Sequence, residues 1–192
     1  MSITVAQLNR TDRDTFVRLL GGIFEHSPWV AEAAFSARPV RDVEQLHRVM
    51  CAAVSAAPRE RRLALIQAHP DLAGKAALAG ELTKASSREQ SGAGLDRLSP
   101  DDYSRFHVLN DAYRRRFRFP FIIAVRGYSA SGILKEFERR LNHEPDQEEQ
   151  EALAQIERIA LFRLQETVLT EPIKPGSEPG EERRNLNERS TM

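Results

Sequence analysis

Residues 42–57 read DVEQLHRVMCAAVSAA. The apolar side chains Leu46, Val49, Met50, Ala53, Val54 and Ala57 fall at i, i+3, i+4, i+7, i+8 and i+11, one continuous stripe on a helix. Strict alternation, the signature of a half-buried strand, is absent. Asp42 ahead of the stripe can accept from the first free backbone N–H groups and start the helix. A helix with one apolar face needs partners, and the flanking sequence supplies them. Toward the N-terminus, Thr11 with Asp14 opens a helix carrying Phe16, Leu19 and Leu20, and Gly21-Gly22 ends or bends it. Ser27-Pro28 then reads as an N-cap with proline at the first helical position, followed by Trp29, Val30 and Ala33.

Toward the C-terminus the helical signals continue. After Ala57-Pro58 a helix runs through Leu63, Leu65 and Ile66, and Pro70 forces it to end, since the residue before proline is pushed out of the α region. HPDLAGK (69–75) reads as a turn or loop and 75–82 as a short helix or coil. Ser86-Ser87-Arg88-Glu89 matches the S-x-x-E capping box and predicts a helix from Ser86 to about Gly92 or Gly94. Ser99-Pro100 starts another, with Tyr103, Phe106, Asn110, Tyr113 and Phe117 along one side. FPFIIAV (119–125) is the one strand-like run, equally readable as buried extended chain or a helix segment. Ser129 or Ser131 caps a helix ending near Asn142. The last begins near Pro145–Asp146 and carries Leu153, Ile156, Ala160, Leu161, Leu164 and Val168. The reading is an all-α, compact single-domain bundle of about eight or nine helices over residues 1–170. Beyond Glu171, three prolines, two glycines and few apolar residues read as a flexible polar tail.

Composition limits the function classes. The 192 residues are 41% hydrophobic and 29% charged, a globular balance with room for a sizeable core. No apolar run approaches the roughly 18–20 residues that span a bilayer, and the N-terminus lacks the apolar stretch of a signal peptide. Lys plus Arg and Asp plus Glu are each 28, so a dedicated nucleic-acid binder is not expected. One cysteine, Cys51, excludes a disulfide framework and any cysteine-rich metal site. It reads as a small core residue, and a reducing cytoplasm fits.

Three residues could carry chemistry. His69 ends a helix where the negative dipole end stabilises imidazolium, which suits a general acid; the alternative is a histidine that caps the last carbonyls. Glu89 has the third position of the capping box, and an ionised carboxylate there could also orient or pair with a histidine. Arg126 follows a buried apolar run, so it needs a structural carboxylate or an anionic ligand. Arg114-Arg115-Arg116 and Arg118 read as a solvated face. His26, His47, His107 and His143 follow no metal-ligand spacing, so no metal site is expected. Phosphate-loop, dinucleotide and serine-hydrolase motifs are absent. On these residues alone, an enzyme and a non-catalytic helical interaction module stand nearly level.

Four segments taken together are more specific: EHSPWV, LIQAHPDLAGK, LTKASSREQSGAGLDRL and FHVLNDAYRRRFRFPFIIAVRG. In order and spacing the chain resembles the 2-oxo-4-hydroxy-4-carboxy-5-ureidoimidazoline (OHCU) decarboxylase family over about residues 10–168. The resemblance implies decarboxylation of OHCU to (S)-allantoin, the third step of urate breakdown, on a compact all-α fold. It implies His69 as the proton donor and Glu89 as the second key polar residue. Substrate contacts are implied for Pro70, for Ser86, Ser87, Arg88, Glu89 and Gln90, and for Phe119, Pro120, Phe121, Ile122 and Ile123. Arg126 is expected either at the substrate or on a structural carboxylate. No cofactor or metal is expected, because the C=N bond of OHCU itself accepts the electrons freed by CO2 loss. A cytoplasmic homodimer with a small-molecule substrate, and no nucleic-acid or membrane partner, completes the expectation.

Overall fold

Short polar residues begin most of the helices. The computed structural model describes residues 3–74 and 80–169, so the tail reading and most of the 75–82 reading lie outside the described residues. A two-residue strand β1 (Ile3–Thr4) leads into α1 (Val5–Asn9), where Thr4 and Gln7 form a capping box. Asp12 caps α2 (Arg13–Leu20), one residue later than the expected Thr11, because its carboxylate reaches the Thr15 N–H at 2.7 Å. Pro28 opens α3 (Pro28–Phe35) and Asp42 caps α4 (Val43–Ala56) as expected. The α5 helix (Arg59–Gln67) ends just before His69-Pro70. Then come α6 (Lys84–Gly92), α7 (Pro100–Phe117) capped by Ser99, α8 (Ala130–Arg140) capped by Ser129, and α9 (Pro145–Thr167). Strand β2 (Val168–Leu169) pairs in parallel with β1, Ile3 opposite Val168, and ties the two ends of the described fold together. Nine helices with this one small ladder make the protein all-α among the described residues.

The stripe that decided the fold class is buried: Leu46, Met50 and Val54 of α4 lie in the core. The 23-residue α9 packs against α4, α5 and α7 and carries Ala152, Ile156, Ala160 and Leu164 inward. The 119–125 segment is neither helix nor strand and joins no sheet. Arg118, in the left-handed region at φ 65°, ends α7 and turns the chain into it. Phe121 to Val125 are buried, so the segment's backbone must find partners inside the protein. Side chains provide them: Arg140 donates to the Ile122 carbonyl at 2.7 Å, and Gln155 accepts from the Ala124 N–H at 3.0 Å.

Arg140 is itself buried and needs a counter-charge. Glu148 supplies it, accepting from Arg140 Nε at 2.9 Å, from the Tyr113 hydroxyl and from His143 Nδ1 at 2.7 Å. Burial pushes the Tyr113 phenol up, which keeps it a donor. The basic run of α7 is partly committed to internal bonds rather than wholly solvated. Arg114 Nε holds Asp71 at 2.9 and 3.0 Å, and Arg116 donates to the His143 carbonyl. No helix among the described residues is long and apolar enough to cross a membrane.

Candidate active site

A cavity of about 780 Å³ opens where the end of α5, helix α6, the 121–127 segment and the C-terminal half of α9 meet. His69 and Pro70 come from the chain leaving α5, and Ser86, Arg88, Glu89 and Gln90 from α6. Phe121, Ile122, Ile123 and Arg126 form one wall, and Phe162, Arg163 and Glu166 of α9 line the cavity too.

His69 is 6% exposed. Its Nδ1 lies 2.9 Å from the Leu65 carbonyl. A carbonyl only accepts, so Nδ1 carries a hydrogen, and whenever the ring is neutral the lone pair is on Nε2. Among the described residues Nε2 has no hydrogen-bond partner. Burial pulls the imidazole pKa down to about 4, Arg163 and His26 add to that, and the Leu65 bond and Glu25 oppose it. The resting imidazole is therefore neutral at pH 7. The expectation of a resting imidazolium at the helix end is corrected, because desolvation outweighs the helix terminus.

Helix α6 starts three residues earlier than the S-x-x-E pattern predicts. Thr83 is the N-cap, and its Oγ1 accepts from the Ser86 N–H at 3.2 Å. The Thr83 hydroxyl also donates to the buried Glu25 at 2.8 Å, and the Ser86 hydroxyl, one turn into the helix, is turned to the same carboxylate. Glu89 is thereby moved beyond the first turn and has no capping role. Its carboxylate instead meets Arg163 in a two-point fork, Nε to Oε1 at 2.7 Å and Nη2 to Oε2 at 2.8 Å.

Arg163 is 5% exposed and fully engaged. Besides the fork, Nη1 donates to Glu25 Oε2 at 2.7 Å and Nη2 to Ser86 Oγ at 3.2 Å. Burial alone would lower the Arg163 pKa, but the bonds to Glu89 and Glu25 more than offset it. Burial likewise acts to raise the Glu25 carboxyl, and Arg163 with the Thr83 hydroxyl holds it below its ordinary value. Gln90 steadies the other side of the cavity by accepting from the Ala73 N–H at 3.0 Å. Asn110 binds the Leu72 carbonyl at 2.9 Å. Together with Arg114 on Asp71, these bonds fix the loop that follows His69.

The structure brings ten of the expected residues to one cavity: His69, Pro70, Ser86, Arg88, Glu89, Gln90, Phe121, Ile122, Ile123 and Arg126. Three are not on its wall. Ser87 lies on the exposed side of α6, because consecutive helical residues point about 100° apart. Phe119 stacks on Phe117 and meets Tyr113 edge-on in the core, and Pro120 is buried beside it. Arg126 has its acidic partner in Glu166 and lies 4.3 Å over the Phe162 ring.

Sequence reasoning missed Glu25, Thr83 and Arg163. Arg163 carried a usable signal, a charge one position from Leu164 and three from Ala160 on the buried stripe of α9, where a lone charge needs a buried partner. Glu25 lay inside EHSPWV without being singled out. Cys51 has no nucleophilic role in this geometry: burial pushes its thiol up to about 12. No group of three or more potential metal ligands occurs among the described residues.

A helical bundle that closes an apolar-walled cavity around a neutral histidine and a buried carboxylate–guanidinium cluster has the build of a small-molecule enzyme. The sequence pattern of the OHCU decarboxylase family matches residues 9–165, and the chain belongs to that family. It is 44% identical over 169 residues to the 2-oxo-4-hydroxy-4-carboxy-5-ureidoimidazoline decarboxylase of Haloferax volcanii, covering 88% of this chain and 98% of the relative. It is 43% identical over 165 residues to a uric acid degradation bifunctional protein of Bacillus subtilis, of which it covers 33%. A crystal structure of (S)-allantoin synthase superposes with a TM-score of 0.70 at 32% identity, over 86% of this chain. The present chain spans 54% of that solved chain.

Proposed function

We propose that this protein is an OHCU decarboxylase, converting OHCU to (S)-allantoin and CO2 in urate degradation. The observation that carries the reading is His69, its Nδ1 tied to the Leu65 carbonyl and its Nε2 free of a partner among the described residues, in one cavity with Glu89 held by Arg163.

The chemistry follows from proton inventory. The bond to the carboxylate breaks and its electron pair moves toward the ring C=N, whose nitrogen takes up a proton from solvent. The enol left behind loses its hydroxyl proton and gains one on the carbon bearing the ureido group. His69 Nε2 is able to do both: it accepts the hydroxyl proton, and the imidazolium so formed delivers a proton to one face of that carbon. The histidine is thus the proton donor that the family resemblance implies, but it is charged in the reaction rather than at rest. One proton is taken from solvent per turnover and the carboxylate leaves as CO2, so atoms and charge balance. Glu89, oriented by the Arg163 fork, accepts from the substrate hydroxyl or ureido N–H and aligns the ring. Phe121, Ile122 and Ile123 exclude water that would protonate the opposite face.

The electron sink belongs to the substrate, so the proposed reaction uses no cofactor. Ser86 and Gln90 contact the polar edge of the ring, and Pro70 packs beside it. Arg88 and Arg126, at the mouth, attract the carboxylate without clamping it. A tight clamp would stabilise the ground state, and only interactions stronger in the transition state accelerate the reaction. A cytoplasmic homodimer without nucleic-acid or membrane partners belongs to the same reading, and sedimentation equilibrium tests the dimer. Freshly prepared OHCU, followed by circular dichroism, tests the activity. Formation of optically active allantoin well above the spontaneous rate is expected. Racemic product at the spontaneous rate overturns the reading.

A further inference from the structure

We propose that Glu25 is a positioning residue of this reaction: it fixes Arg163 outside the Glu89 fork and supplies the counter-charge for the imidazolium that His69 becomes during turnover. The inference rests on the OHCU reading and assigns a role to a residue that does not line the cavity.

Glu25 is 2% exposed and lies just ahead of α3. Its carboxylate joins two other elements. From α6 and its cap, the Thr83 hydroxyl donates at 2.8 Å and the Ser86 hydroxyl lies 3.1 Å from both oxygens. From α9, Arg163 Nη1 donates at 2.7 Å. Nη1 is the nitrogen that the Glu89 fork leaves over, so Glu25 stops the guanidinium from rotating and keeps the fork facing Glu89. Such a site is expensive to build, because burying a carboxylate costs free energy unless every oxygen is bonded.

The charges show what the second carboxylate does. The cluster pairs one guanidinium, Arg163, with two carboxylates, the buried Glu25 and the half-buried Glu89. The proton that His69 takes comes from the substrate hydroxyl, so the imidazolium forms beside a cluster that already sets two carboxylates against one guanidinium. Arg163 from α9 and the adjacent His26 disfavour the imidazolium, while Glu25 favours it. Glu89, Lys84 and Arg88 of α6, and the Arg126–Glu166 pair, are the other charged groups on the same cavity. Stabilising an ion formed only during reaction is a preorganised electrostatic contribution, and it shows in kcat rather than KM.

The test compares the wild type with Glu25→Gln and Glu25→Asp, using OHCU turnover and NMR titration of the ligand-free His69 imidazole. In Glu25→Gln, kcat is expected to fall about tenfold or more at nearly unchanged KM. The acid limb of the kcat profile, where His69 must be neutral to accept a proton, is expected to move to lower pH, since an imidazolium without Glu25 is less stable. The His69 titration moves the same way. A merely structural role predicts the opposite direction, because loosened packing admits water and returns the imidazole toward its ordinary value of about 6.5. Glu25→Asp keeps the charge, and it is expected to restore the acid limb and part of kcat. A folded Gln variant with kcat within twofold of wild type overturns the inference, as does an Asp variant that loses KM alone. If neither variant moves the His69 titration, the inference is overturned even where one of them folds poorly. The titration needs no substrate: an inactive wild type with a shifted titration sinks the OHCU reading, and an active wild type with an unshifted one sinks only the role of Glu25.

Discussion

At the scale of single residues, His69 links the fold to the chemistry through one proton. Its backbone N–H closes the end of α5 on Ile66, and its Nδ1–H spends itself on the Leu65 carbonyl. Both bonds leave Nε2 as the ring atom free to act in the cavity. The same burial makes a measurable claim on stability. The folded imidazole takes a proton only near pH 4, the unfolded one near its ordinary value of about 6.5. Between those values the unfolded chain binds a proton that the folded chain does not, so stability falls as pH drops through this window and is unaffected by His69 above it. The slope from this residue reaches at most about 1.4 kcal/mol per pH unit. Urea unfolding at pH 7, 6 and 5 is expected to show this loss in the wild type and a flatter dependence in His69→Asn. Equal slopes in the two proteins contradict a buried neutral His69.

At the scale of elements, the start of α6 decides what Glu89 can do. Moving the cap from Ser86 to Thr83 turns a first-turn glutamate into a cavity-facing one. The two roles separate by mutation. Thr83→Ala removes both the cap and the hydroxyl that donates to Glu25, and is expected to cost about 1–3 kcal/mol of stability. Glu89→Gln leaves the cap intact and breaks the charge of the Arg163 fork. It is expected to lower turnover at least about tenfold, and to destabilise the protein by about 1–3 kcal/mol because part of a buried guanidinium loses its charged partner. Thermal melts and OHCU assays on both variants check this. A Glu89→Gln protein as stable and as active as the parent contradicts the fork's importance. The 119–125 segment carries a related lesson. Its apolar run is strand-like but reads equally as buried extended chain or helix; in the fold it joins no ladder, and Arg140 and Gln155 pair two of its backbone groups.

At the scale of the molecule, α9 organises both core and site. One face carries Ile156, Ala160 and Leu164 into the bundle, and Arg163 in the same stretch joins the charged cluster. The family pattern ends at residue 165, and β2 ends at Leu169. A chain cut after Thr170 therefore keeps every bond described in the site. It is expected to fold and to decarboxylate OHCU at the full-length rate. Loss of the cooperative melt or of activity on this truncation contradicts a self-sufficient domain.

Much of this was legible in the chain itself. The α4 stripe, the Asp42 and Ser99 caps, Pro28 at a helix start and the Pro70 stop are local signals, set by backbone sterics, hydrogen bonding of short side chains and 3.6-residue periodicity. They determined an all-α fold and the boundaries of α2 to α9 to within a few residues, while α1 and the β1–β2 ladder were not read from the chain. His69, Glu89 and the Phe121–Ile123 wall were also marked, by motif and by resemblance. Tertiary structure alone decided three things. It placed Glu25 and Arg163, 138 positions apart, 2.7 Å from each other. It shifted the α6 cap to Thr83, which leaves the Ser86 hydroxyl inside the helix to bond Glu25 and Arg163. And it set the protonation of His69, since local sequence fixes a helix-end dipole, whereas desolvation depends on every element that closes over the ring.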